Sequence, residues 1–198
     1  MIVSRETSDR LELYGQLLTR WNERINLVSS ATIADLQTRH IGDCLQLVEL
    51  NDAKIGTWVD FGSGGGLPGM VLAIAMADTD MQFLLVESDR RKSAFLQTVV
   101  RETGLKRCTV IADRIENLPP LNAYRASARA LAPLSQLVAY LHLHMAPTGK
   151  AYLMKGRRWQ SEVKDAEIDW RFDYASHSSK TEEGAAILEI SGVSHGTV

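Results

Sequence analysis

Residues 59–69 read Val-Asp-Phe-Gly-Ser-Gly-Gly-Gly-Leu-Pro-Gly, a glycine-rich run between two apolar segments. We predict a strand at 57–61 before the run and a helix at 71–76 after it, which is the context that makes such a run informative. Glycine permits positive φ and lets a ligand approach the backbone, and free N–H groups at a helix start favour electron-rich ligand atoms. The run therefore predicts a nucleotide-type binding loop; the alternative is a simple tight turn.

The spacing of the glycines narrows the class of ligand. Gly62, Gly64 and Gly66 match Gly-x-Gly-x-Gly and not the dinucleotide fingerprint Gly-x-Gly-x-x-Gly. With Asp60 at the end of the preceding strand, the pattern resembles the first motif of class I methyltransferases. That resemblance implies a loop that carries the amino-acid end of S-adenosylmethionine, and it disfavours a nucleotide-dependent oxidoreductase.

Acidic residues follow the next two predicted strands. Glu87 ends the second strand, where a carboxylate can accept hydrogen bonds from both ribose hydroxyls. Asp113, Ile115 and Glu116 follow the third strand, where class I methyltransferases contact adenine; there Ile115 would pack on the ring. The alternatives are a surface position for Glu87 and a helix cap for Asp113.

Strand and helix patterns alternate through most of the chain. An apolar stripe from Leu11 to Ile25 predicts a first helix, and Thr32-x-x-Asp35 predicts the capped start of a second. The predicted strands are 57–61, 81–86, 108–112, 124–128, 150–154, 171–175 and 185–190, and the helices among them are 71–76, 90–103 with Gly104 as its cap, 133–145 with Pro133 at its first position, and 159–168.

This alternation predicts an α/β protein with a mostly parallel, seven-stranded, Rossmann-like sheet and helices on both faces. The segment 124–128 has poor strand propensity and is assigned because the alternation requires it. No helix is predicted between the last two strands, which could therefore pair antiparallel at one edge. We expect a single methyltransferase domain over 1–198, with N-terminal helices in 1–50 and the core in 55–198.

Composition sets broad limits. The chain has 198 residues and a net charge of -2, so any contact with RNA must come from a local basic patch. Cys44 and Cys108 are too few for a disulfide framework and lack the spacing of a zinc site, so we expect two buried free thiols. No apolar run approaches the ~20 residues of a membrane span, and the N-terminus lacks a secretory apolar region. We therefore expect a cytoplasmic protein.

Seven segments carry a more specific pattern because they occur in a fixed order. They read WNERINLVS at 21–29, RHIGDC at 39–44, GSGGGLPG at 62–69, KSAFL at 92–96, RIE at 114–116, SARA at 127–130 and KG at 155–156. In this order they resemble the glucose-inhibited division protein B family, the bacterial methyltransferases that make 7-methylguanosine in small-subunit ribosomal RNA. The resemblance runs from about residue 14 to about residue 156.

Three positions depart from the family pattern. Gly42 replaces a large apolar residue, and Glu87 replaces an aspartate while keeping a carboxylate for the ribose. Tyr124 and Arg125 stand where the family usually has an aspartate near the fourth strand, so no carboxylate role is assigned there.

The resemblance implies S-adenosylmethionine as cofactor and small-subunit ribosomal RNA, or the small subunit itself, as partner, with no membrane and no obligate protein partner. It places cofactor contacts on Gly62, Leu67, Ile115, Glu116 and Arg129, with Asp60 and Glu87 in support. The glycine spacing adds Gly64 and Gly66, and the position after the third strand adds Asp113.

In-line methyl transfer to guanine N7 needs alignment more than proton transfer, because N7 has a lone pair and no proton to lose. The candidate residues on the RNA side are Asn26, His40, Arg114, Arg129, Lys155, Arg157 and Arg158. Four of them, Asn26, His40, Arg129 and Lys155, form the predicted catalytic group. Arg129 and Lys155 are favoured because each lies near the carboxyl end of a predicted strand.

For each of these residues the alternative is a solvated charge or, for His40, a structural hydrogen bond. For the whole chain the alternatives are a methyltransferase acting on another RNA, a protein or a small molecule, and a catalytically silent S-adenosylmethionine-binding module. Labelled methyl transfer into RNA would separate these alternatives from the favoured reaction.

Overall fold

The computed structural model describes residues 3–29, 33 and 35–196. The strands are β1 Ile55–Phe61, β2 Asp80–Val86, β3 Cys108–Ile111, β4 Ala123–Arg129, β5 Met145–Lys155, β6 Trp170–Ser178 and β7 Ala186–His195. The α-helices are α1 Arg5–Asn22, α2 Gly42–Leu50, α3 Gly69–Ala75, α4 Arg90–Thr103, α5 Leu134–His144 and α6 Trp159–Ala166. The predicted α/β class is confirmed.

The strands form one sheet in the order β3-β2-β1-β4-β5-β7-β6. The pairs β1–β2, β1–β4, β2–β3 and β4–β5 are parallel, and β7 is antiparallel to both β5 and β6. The predicted antiparallel edge is confirmed, because the connection at 179–185 is too short for the crossover that parallel strands need. Strand order reverses between β1 and β4, so a crevice opens at their carboxyl ends.

Buried apolar residues form two clusters, one on each face of the sheet. Within β1, Trp58 belongs to the cluster beneath α1 to α4, whereas Val59 and Phe61 belong to the cluster beneath α5 and α6. Such a division is expected because successive strand residues point to opposite faces. The weak strand at 124–128 forms as predicted; it is held between β1 and β5, and its small buried residues, among them Ala126, pack within the second cluster.

Several local details differ from the sequence prediction. The predicted second helix is a π-helix over Leu36–Ile41 that continues into α2. Thr32 lies outside the described residues, and Asp35 makes no side-chain cap hydrogen bond. Pro133 is the N-cap of α5 and not its first helical residue, whereas Gly104 caps α4 in the left-handed conformation as predicted.

Two expectations from composition were also examined. Cys44 and Cys108 are buried free thiols, as predicted. Within the ranges that the structure describes, no helix is both long and apolar enough to cross a membrane.

Candidate active site

The glycine loop leaves the carboxyl end of β1 with three left-handed residues, Gly62, Gly64 and Gly66, at φ +61°, +54° and +89°. Their surroundings differ. A Cβ on Gly62 would lie 2.4 Å from Leu131 Cδ1, and one on Gly66 would lie 2.7 Å from Met70 Cβ. A Cβ on Gly64 would meet only the Gly62 carbonyl oxygen, at 3.8 Å. Gly64 therefore faces open space, whereas Gly66 faces the protein interior.

A buried hydrogen-bonded chain supports the loop from below. Asp60 is fully buried, and its Oδ1 accepts a hydrogen bond from Ser127 Oγ at 2.6 Å. Ser127 Oγ accepts in turn from Trp58 Nε1 at 3.0 Å, and Ser63 Oγ donates to the Asp60 carbonyl at 3.1 Å. Asp60 thus holds the base of the loop, and its support for a ligand would be exerted through the loop.

Burial raises the pKa of Asp60 to about 6, against the opposing effects of hydrogen bonds from Ser127 and Ser63. The folded state therefore binds this proton more tightly than the unfolded chain does. The contribution of Asp60 to stability consequently falls as pH rises from about 4 to about 6.

We expect Asp60→Asn to remove this pH dependence. Relative to the variant, the wild-type free energy of unfolding should fall by about 3 kcal/mol between pH 4 and pH 6.5. The measurement is urea unfolding of both proteins across that range. Lost hydrogen bonds in the variant give an offset that does not vary with pH, so only the slope is used. Parallel pH profiles would show that Asp60 does not titrate in this interval.

Residues of the N-terminal segment complete the loop from the other side. Tyr14 Oη donates to the Gly65 carbonyl at 2.6 Å in a buried contact. Asn22 Oδ1 accepts from the N–H groups of Leu27 and Val28 at 2.9 and 3.0 Å. These bonds shape the turn after α1 and bring Leu27 against Gly65. The N-terminal helices are therefore part of the site's framework.

A cleft of about 480 Å³ opens above the loop, within the size range of small-molecule sites. The Glu87 side chain stands at its edge, 8% exposed, and accepts from the N–H groups of Gly64 and Asp89, each at 2.8 Å. The predicted cofactor residues that line the cleft are Gly62, Gly64, Leu67, Glu87, Asp113, Ile115, Glu116 and Arg129. Asp60 and Gly66 are not on its wall, which corrects their prediction as direct contacts: they shape the loop from behind.

The wall opposite the loop is fixed by α5. Tyr140 Oη donates to Glu116 Oε1 at 2.6 Å and accepts from Gln136 Nε2 at 2.6 Å. The hydrogen bond from Tyr140 lowers the pKa of Glu116 and keeps that group ionised. His144 Nε2 lies 3.0 Å from the Ile115 carbonyl oxygen, which anchors the segment beneath the cleft.

Asp113 takes part in a local turn. Its Oδ1 accepts from the Arg114 N–H at 2.7 Å and from Asn117 Nδ2 at 2.9 Å. The carboxylate thus orders the backbone that forms this part of the cleft.

A second cleft of about 830 Å³ adjoins the first. Leu27, Arg129 and Ala130 line both clefts. The basic side chains and imidazole that line the second cleft are those of Arg39, His40, Arg129, Lys155, Arg157 and Arg158. The structure thus brings together five of the seven predicted RNA-side residues.

The other two predicted RNA-side residues are placed elsewhere. Asn26 is exposed and lines neither cleft, so its prediction as a member of the catalytic group is not supported by its position. Arg114 lines the first cleft only.

Arg129 is held at the junction of the two clefts. One guanidinium nitrogen, Nη2, lies 3.1 Å from His40 Nδ1, and Nη1 lies 3.8 Å from Asp43 Oδ2. Burial, followed by the positive charges of Arg129 and Arg39, lowers the pKa of His40. Because a guanidinium can only donate, His40 Nδ1 must be the acceptor, and the neutral ring carries its proton on Nε2.

Lys155 is engaged by protein groups. Its ammonium donates to the Ala132 carbonyl at 3.0 Å and pairs with Glu162 Oε2 at 2.5 Å, with the side chain 9% exposed. Glu162 also accepts from the Leu134 N–H at 2.9 Å. These contacts tie the end of β5 to the start of α5, and they favour a structural role over the predicted contact with RNA.

The strand order, the glycine loop after β1 and the carboxylate after β2 together define the class I S-adenosylmethionine-dependent methyltransferases. The profile of the family described as rRNA small subunit methyltransferase G matches residues 7–190. The Ribosomal RNA small subunit methyltransferase G of Paracoccus denitrificans is 52% identical over 98% of this chain and 100% of its own length. The protein of that name from Ruegeria pomeroyi is 47% identical over 96% and 94%. The chain belongs to the rRNA small subunit methyltransferase G family.

A solved structure supports the fold independently. A putative S-adenosyl-L-methionine-dependent methyltransferase from Methanococcus maripaludis superposes with a TM-score of 0.62 at 11% identity, covering 100% of this chain and 99% of that one. At this identity the likeness concerns the fold alone.

Proposed function

We propose that this chain transfers the methyl group of S-adenosylmethionine to N7 of a guanine in small-subunit ribosomal RNA. The observation that carries the proposal is the wall common to the two clefts, formed by Leu27, Arg129 and Ala130. A methyl donor in the first cleft and a base in the second would meet at this wall. In-line displacement depends on such an approach, and holding both reactants in line supplies several kcal/mol of the barrier reduction.

The first cleft suits S-adenosylmethionine, which supplies the electrophilic methyl group when bound. The missing Cβ of Gly64 leaves room for its amino-acid end beside Gly62 and Leu67. Each oxygen of Glu87 accepts one backbone N–H, so further lone pairs can accept from the ribose hydroxyls. Ile115 offers an apolar surface for adenine, between the carboxylates of Asp113 and Glu116.

The arrangement suits an acceptor that has no proton to lose. His40 is neutral and its Nδ1 is already occupied by Arg129, which makes it a group that orients Arg129. Arg129 carries five N–H donors in a rigid fork. Those not facing His40 and Asp43 are available to hold guanine O6 or a neighbouring phosphate in register.

Positive charge in the second cleft favours an RNA partner over a small neutral molecule. Arg39, Arg157 and Arg158 can bind phosphates, which accounts for affinity but not for base choice. Guanine N7 lies in the deep groove of A-form RNA, so the target base would be in a loop or an opened helix. Because the proposed partner is ribosomal RNA or the small subunit, we place the reaction in the cytoplasm.

The test is methyl transfer to small subunits purified from cells that lack this gene. We expect 7-methylguanosine to appear at one position of the small-subunit RNA, mapped by mass spectrometry, only when enzyme and S-adenosylmethionine are both added. Large subunits and naked small-subunit RNA serve as parallel substrates. Methyl groups on another atom would refute N7, and turnover on none of the RNAs would refute an RNA substrate.

A further inference from the structure

We propose that Asp43 is a positioning residue that links Arg129 to the β6–β7 loop, residues 179–185, which forms part of the wall of the second cleft. The proposal rests on the proposed function above and deepens it. It gives a role to a carboxylate for which sequence analysis predicted none.

One oxygen of Asp43 holds the β6–β7 loop. Asp43 Oδ1 accepts hydrogen bonds from Thr181 Oγ1 and, at 3.2 Å, from Ser179 Oγ. It also accepts from Gln46 Nε2 at 2.8 Å, and Gln46 Oε1 accepts from the Lys180 N–H at 2.8 Å. The loop is thereby fastened to α2 through two neighbouring side chains of that helix.

The other oxygen faces the junction of the clefts. Asp43 Oδ2 lies 3.8 Å from Arg129 Nη1, and the two side chains are 16% and 20% exposed. Their attraction is therefore only partly screened by solvent. With His40 Nδ1 on the second guanidinium nitrogen, Arg129 is oriented from two sides.

The same carboxylate thus touches two parts of the second cleft. Thr181 and Glu182 line this cleft together with Arg129. An RNA that enters the cleft and presses on the β6–β7 loop would act through Asp43 on the orientation of Arg129. Substrate engagement and alignment of the reacting groups are coupled in this way.

Because each oxygen has a separate task, two variants can separate them. In Asp43→Asn, the donor Gln46 Nε2 holds the amide oxygen on the loop side, so the amide NH₂ faces Arg129. We expect kcat on small subunits to fall about tenfold with little change in KM, since a charge-assisted contact is lost on the reacting side. Thr181→Val removes the loop-side hydroxyl and should raise KM with little change in kcat.

Asp165→Asn is the matched control, because it makes the same change of charge at an exposed position of α6 outside both clefts. It should behave as wild type. Asp43→Glu should recover part of the kcat lost in Asp43→Asn. A purely structural role would instead lower kcat and raise KM together in both variants, in proportion to a fall in Tm, and would overturn the proposal.

A second measurement needs no substrate. Amide hydrogen exchange of residues 179–185 in the free enzyme should accelerate in Asp43→Ala and Thr181→Val but not in Asp43→Asn. Unchanged exchange in Asp43→Ala would overturn the proposed link even if turnover could not be observed. Absent turnover by wild type, with the expected exchange pattern, would instead refute the proposed function and leave the link standing.

Discussion

Replacing Arg129 by alanine should lower kcat/KM for methyl transfer to small subunits by at least about a hundredfold while the fold survives. Arg129 lines both clefts, and its guanidinium is held by His40 and Asp43 at their junction. Alanine removes the N–H donors that we propose align the base. The side chain lies at the rim and not in an apolar cluster, so Tm should change little. Turnover is measured with reconstituted small subunits.

Two further variants make this result specific. Arg129→Lys keeps the charge but loses the planar fork, so it cannot face both His40 and Asp43 and should remain strongly impaired. Arg114→Lys changes an arginine that lines only the first cleft, and it should cost much less. Wild-type turnover by Arg129→Ala would remove Arg129 from the proposed mechanism.

The sheet and the glycine loop were predictable because their sequence patterns are local. The loop has its glycines at fixed spacing between an apolar strand and a helix, and the acidic Glu87 follows the next strand at the edge that every parallel strand shares. The strand at 124–128 required reasoning from alternation, because Tyr124 and Arg125 lie at its amino end and its buried part consists of small residues. Its formation depends on pairing with β1 and β4's other neighbour, β5.

The framework of the site was missed because it depends on contacts between residues far apart in sequence. Tyr14 was recognised only as one member of an apolar stripe, yet its hydroxyl reaches the Gly65 carbonyl. Ser127 stands in a quoted motif, but its bond to Asp60 follows only from the register of β1 against β4. A hydroxyl in an otherwise apolar buried strand was the available indication. Lys155 shows the converse: its position after β5 was predicted, but not the carboxylate that engages it.

Gly64→Val should reduce the affinity for S-adenosylmethionine by at least about a hundredfold. A β-branched residue at φ +54° is strained by about 1–3 kcal/mol. Relief of that strain would turn the peptide and break the bond from the Gly64 N–H to Glu87 Oε2. The isopropyl group would also enter the open space above the loop, where a Cβ meets no side chain. Isothermal titration calorimetry measures the loss, and unchanged affinity would refute the assignment of this cleft to the cofactor.

The neighbouring glycines provide the control for this result. Gly66→Ala places a Cβ 2.7 Å from Met70 Cβ and 3.3 Å from Tyr14 Oη, inside the protein. It should therefore lower the urea midpoint more than Gly64→Ala does, since overpacking a core costs about 1–3 kcal/mol. Gly64→Ala should instead lower cofactor affinity, by less than valine does, with a smaller change in stability. If the two alanine variants lost stability and affinity in the same proportion, Gly64 would be a folding residue, and the cleft above it would have to take its ligand from another direction.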